Sequence, residues 1–151
     1  MSLHYLSLLD LSAKLRSGAL SPVEVTETIL DRISALDGTY LSYTTVIADR
    51  AIEQAKKAEA EIAAGFWRGP LHGVPIAVKD LCDTTYAPTA AGMFIHKDRI
   101  ANANSTAVDR LEAAGAVVVG KLTMTDADLE LIDANPVSPA VCRPDRQPAH
   151  L

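Results

Sequence analysis

The chain has 151 residues, 48% of them apolar and 22% charged, enough for one packed domain or for part of a larger one. Nineteen acidic residues against fourteen basic ones leave a net charge of −5. With aromatics at only 5%, no basic, aromatic-studded face for nucleic acid is expected. His4, His72, His96 and His150 are scattered, which predicts no metal site. Cys82 and Cys142 are equally isolated, which predicts no disulfide framework and a reducing, cytoplasmic compartment. The first sixteen residues mix acids and bases through an amphipathic pattern, unlike a signal peptide, and no apolar run approaches a membrane span.

The first 65 residues read as helices. One covers residues 7–16 and ends near Gly18. The run Ser21-Pro22-Val23-Glu24 has the form of a capping box with proline at the first helical position. Val25, Ile29, Leu30, Ile33 and Leu36 follow at helical spacing, and Gly38 is the expected stop. An alanine-rich stretch with Glu and Lys predicts a third helix over residues 48–64, closed by Gly65.

The pattern then changes. Val74-Pro-Ile-Ala-Val78 is short, apolar and partly β-branched, and reads as a buried strand that ends on Lys79. Residues 82–105 show little periodicity and form a long loop, a kind of segment that often carries function. Residues 106–114 predict a helix with Ser105 as its N-cap and Gly115 at C′. Val117-Val118-Val119 predicts a second strand, followed by a turn at Gly120-Lys121. Strand, helix, strand in this order implies a right-handed parallel unit. From Asp126 the composition turns proline-rich, with Pro136, Pro139, Pro144 and Pro148, and predicts little regular structure.

Lys79 is the residue with the clearest chemical promise. A lysine at the C-terminal end of a parallel strand stands where α/β sites form. Burial would penalise its charged form and so make it a usable base. The alternative, and on spacing alone the commoner one, is a structural ion pair with Asp80 or with a carboxylate across the sheet. Gly115 to Lys121 nearly spells a phosphate loop, but Leu122 replaces the magnesium-binding hydroxyl and the middle is β-branched, which argues against a nucleotide site. Ser105 and Ser138 lie in no glycine-rich elbow. Asp80, Asp83 and Asp126 read as caps, turn residues or solvated charges.

Taken together, four ordered motifs resemble the N-terminal part of the amidase signature family. They are Gly69-Pro-Leu-His-Gly-Val-Pro-Ile-Ala-Val-Lys-Asp80, Pro88-Thr-Ala-Ala-Gly92, Asn104-Ser-Thr-Ala-Val-Asp-Arg-Leu111 and Ala114-Gly-Ala-Val-Val-Val-Gly-Lys121. The resemblance spans about residues 5–126. It implies an α/β fold with N-terminal helices followed by a partial parallel or mixed sheet, with residues 127–151 as an irregular, non-homologous tail. It also implies hydrolysis of carboxamide C–N bonds by a Ser–cis-Ser–Lys triad, with Lys79 as the base and neither metal nor cofactor. The implied partner is a small carboxamide, or glutamine for an A subunit of an amidotransferase, with no nucleic acid and no membrane. Both serines of the triad belong to a glycine- and serine-rich segment that these residues do not spell. The expectation is therefore a truncated chain, inactive alone, with a non-catalytic interaction module as the competing reading. Its unfinished sheet would leave edges open to self-association.

Overall fold

The computed structural model describes residues 3–124. The expected tail, with Asp126, Ser138 and Cys142, lies outside the described residues. Among the described residues there are four α-helices and one three-stranded sheet: α1 (Leu8–Arg16), α2 (Pro22–Tyr40), β1 (Tyr43–Val46), α3 (Ala48–Ala63), β2 (Pro75–Lys79), α4 (Thr106–Ala113) and β3 (Val117–Leu122).

The helix ends follow local chemistry. Ser7 caps α1 by accepting from the Asp10 amide. Ser21 Oγ accepts from the amides of Val23 and Glu24 at the start of α2, with Pro22 at the first helical position. These bonds satisfy amides that the first helical turn leaves unpaired. Ser105 caps α4 in the same way. At the other end of α4, Gly115 adopts φ +85°, the Gly115 amide donates to Glu112 O and the Ala116 amide to Leu111 O, a Schellman closure.

Two expectations for the N-terminal region fail. Gly38 does not end α2, which runs on to Tyr40 and stops where Leu41 turns into the left-handed region at φ 49°. A single glycine inside a helix costs only about 1 kcal/mol, which packing can override. The region is also not purely helical, because Tyr43–Val46 forms β1. Its aromatic and β-branched residues suit a strand.

The sheet order is β1-β3-β2. β2 and β3 are parallel, as strand–helix–strand predicts, and β1 runs antiparallel to β3. β3 extends through Gly120, Lys121 and Leu122, where a turn was expected. Gly120 is needed there because a Cβ would lie 2.5 Å from Thr45 O and 2.8 Å from the Tyr43 ring, so the glycine lets β1 approach.

β3 supplies the centre of the core. Val117 and Val119 pack with Ile33 of α2 and with Ala51 and Ala55 of α3, while Val118 packs with Val78 and with Val108 of α4. Helices therefore cover both faces of the sheet, and each fully buried valine contributes about 1.5–3 kcal/mol. Leu15, Val25 and Val74 form a smaller cluster that ties α1 and α2 to the segment entering β2. Among the described residues, no helix is long and apolar enough to cross a membrane.

Candidate active site

The parallel pair β2–β3 brings two lysines to one end of the sheet, and their environments are the reverse of the sequence expectation. Lys79 is exposed. Its Nζ donates to the carbonyl oxygen of Thr123 at 2.8 Å. Lys121 is the buried one, with no solvent exposure. Strand alternation and the bulge opposite Ile76 and Ala77 decide which lysine is enclosed, and neither is legible from β2 alone.

Lys121 is fully compensated. Its Nζ donates to Pro88 O at 2.8 Å and to Thr89 Oγ1, and lies 3.1 Å from Asp80 Oδ1. The Asp80 contact is a charge contact whose angle falls outside hydrogen-bond geometry. Asp80, expected to be a cap or a solvated charge, is thus a buried counterion with 2% exposure. Its other oxygen accepts from the Ala90 amide at 3.1 Å, its carbonyl accepts from the Ala91 amide, and its own amide donates to Leu122 O. Burying a lone charge is costly, and this network supplies the partners that burial requires.

The acceptor of Lys79 is also fixed. The Thr123 amide donates to Ser42 O and its hydroxyl donates to Leu41 O, both at 2.8 Å. Thr123 is held through both donors, and its carbonyl points to Lys79. An exposed amine on a fixed acceptor can exchange a proton with a partner group brought against it. The enclosed ammonium of Lys121 cannot. Lys121 and Thr123 were not among the residues expected from sequence, although a lysine directly following Val-Val-Val-Gly was the available signal for a strand-borne, buried charge.

The remaining candidates take structural roles. Asp83 pairs with Arg99 at 2.5 Å and is half-buried, within the long loop of residues 82–105. Ser105 is an N-cap. Cys82 is a free thiol. The glycine–lysine pair Gly120-Lys121 lies inside β3 and forms no phosphate cradle.

A second polar group occupies the opposite end of the sheet, where β2 and β3 begin. A cleft of about 250 Å³ is lined there by Arg50, Gln54, Glu61, Arg68, His72 and Glu112. Arg68 grips Glu61 with two hydrogen bonds of 2.6 and 2.7 Å, and His72 Nε2 lies 3.0 Å from Glu61. The Arg68 amide donates to His72 Nδ1, which places the histidine proton on Nε2. Burial holds the His72 pKa below its ordinary value, with Glu61 opposing. The hydrogen bond from Arg68 lowers the Glu61 pKa. Tyr86 donates to Glu112 at 2.9 Å and lies under the Arg50 guanidinium, and burial raises its pKa strongly. His72 Nε2 and Arg50 Nη1 are buried without a hydrogen bond and meet Glu61 and Glu112 only as charge contacts, and the group links α3, α4 and the entry to β2. Among the described residues, no cluster of His, Cys, Asp and Glu could hold a metal ion.

AmiD of Mycobacterium tuberculosis, an amidase by its name, is 48% identical over 121 residues, covering 80% of this chain and 26% of AmiD. The A subunit of the glutamyl-tRNA(Gln) amidotransferase from Anaeromyxobacter dehalogenans is 46% identical over 121 residues, covering 80% of this chain and 25% of that protein. The native peptide amidase from Stenotrophomonas maltophilia superposes with a TM-score of 0.74 at 33% identity, over 79% of this chain and 25% of that one. The chain thus spans about a quarter of the length of the relatives it matches. The Amidase family model matches residues 24–144, and the chain belongs to the amidase family.

Proposed function

We propose that this chain supplies the general base of an amide hydrolase, with Lys79 as the proton acceptor of a Ser–cis-Ser–Lys arrangement. The supporting observation is the exposed Lys79 amine on its fixed Thr123 carbonyl, at the C-terminal end of a parallel strand. In this reading the segment that carries the serines covers Lys79, a hydroxyl donor displaces or joins the Thr123 contact, and the amine takes its proton. That proton passes through a relaying serine from the nucleophile, which attacks the carboxamide carbon. Both serines come from a segment that these residues do not spell, so hydrolysis in this reading requires that segment in addition. No metal or cofactor takes part. The substrate class is a small or aryl carboxamide. Glutamine, as for an A subunit of an amidotransferase, is the neighbouring alternative, since 48% and 46% identity do not separate the two.

Transplanting this chain into AmiD in place of the matching segment tests the base assignment. Amide hydrolysis that disappears with Lys79→Ala supports it, and hydrolysis that survives that change removes it.

A second, non-catalytic reading draws on the sheet. Among the described residues β1 and β2 each pair on one side only, and such edges favour self-association. Sedimentation would show a discrete dimer under this reading and a monomer against it.

A further inference from the structure

We propose that Lys121 and Asp80 are positioning residues for the Lys79 amine, acting from inside the core on the two places where Lys79 is held. Their functional meaning rests on the proposed role of Lys79 as a base, but their physical effect stands apart from turnover.

Lys79 is set by its own backbone at the end of β2 and by the Thr123 carbonyl that receives its Nζ. Asp80, the next residue along, ties the first to β3 through the hydrogen bond its amide donates to Leu122 O. Thr123 lies two residues beyond Lys121 on the same strand end. The buried Lys121 ammonium and Asp80 carboxylate, 3.1 Å apart, lock these neighbours together.

The same pair also anchors the turn at residues 88–91. Lys121 takes Pro88 O and Thr89 Oγ1, the Asp80 carboxylate takes the Ala90 amide, and the Asp80 backbone carbonyl takes the Ala91 amide. Ala91 sits at φ 52°, a left-handed conformation that alanine adopts only when its surroundings impose it. A strained turn, two strand ends and an exposed amine thus share one buried charge pair. The enclosed Lys121 and Asp80 cannot meet substrate themselves.

The test is the reactivity of Lys79 in the full chain. Limited acetylation with acetic anhydride, read by peptide mass spectrometry, gives the Lys79 rate relative to exposed Lys14 and Lys56 in the same molecule. The double variant Lys121→Met with Asp80→Asn removes the pair without leaving a buried unpaired charge. The relative Lys79 rate is expected to change by roughly three- to tenfold, the range that one hydrogen bond controls. Amide exchange at Ala90, whose acceptor is the Asp80 carboxylate, is expected to accelerate in parallel, and at Ala91 as the turn loosens. Faster exchange at those amides with an unchanged Lys79 rate would overturn the proposal, because the pair would then hold only the turn. If the double variant fails to fold, Thr89→Val, which removes one acceptor of Lys121, is read instead. It should shift the Lys79 rate about twofold in the same direction, and no shift overturns the proposal. Survival of hydrolysis in the Lys79→Ala chimera would remove the base assignment and leave this result standing.

Discussion

Lys79 Nζ reaches across the end of β2 to the carbonyl of Thr123, 2.8 Å away, so the amine bridges two parallel strand ends at the surface. A lysine held in this way adds little to the fold. Lys79→Ala should change the unfolding free energy by less than about 1 kcal/mol, the worth of one hydrogen bond near solvent. Urea unfolding of the two chains checks it, and a larger loss would make Lys79 a structural residue.

Lys121 should behave oppositely. Lys121→Met leaves the Asp80 carboxylate buried without its counterion, which should cost about 3–5 kcal/mol. Adding Asp80→Asn removes the stranded charge and should recover most of that loss. A double-variant series in urea reads both values.

Gly115 carries two demands at once. Its φ is +85°, and a Cβ there would lie 2.5 Å from His72 Cδ2. Gly115→Ala should therefore destabilise the chain by about 1–3 kcal/mol through strain and overpacking. The midpoint of a thermal melt should fall accordingly, whereas Gly38→Ala, with open space around it inside α2, should hold or raise the midpoint.

His72 makes stability depend on pH. Its folded pKa is lowered by burial, so the unfolded chain takes up a proton first as pH falls. The stability that neutral His72 contributes is complete above about 6.5 and is lost as pH drops below that value toward the lowered folded pKa. Glu61, also lowered in the folded chain, adds a second loss in the carboxylate range below it. Stability measured from about pH 8 down to about pH 2 should fall in these two steps, and His72→Gln should erase the upper one.

The elements of this fold were legible where their cause is local. Ser21 with Pro22, Ser105, and Gly115 mark helix ends through their own side chains or lack of one, and each acts there. Gly38 misled because its effect depends on packing along the rest of α2. β1 has no local signature, because four residues between two helices form a strand only once β3 lies beside them. The lysine motif was legible, but its burial was not. Val78 pairs with Lys121 and Lys79 with Leu122, so a register set between distant segments decides which charge the core encloses.

Lys79 acts as a base in the proposed reaction. The most direct measurement is the rate of ammonia release from a carboxamide by an AmiD chimera carrying this chain in place of its matching segment, compared with the same chimera bearing Lys79→Ala. Hydrolysis is predicted for the first and a loss of several orders of magnitude for the second, with both equally folded. Comparable rates from the two proteins would contradict the claim.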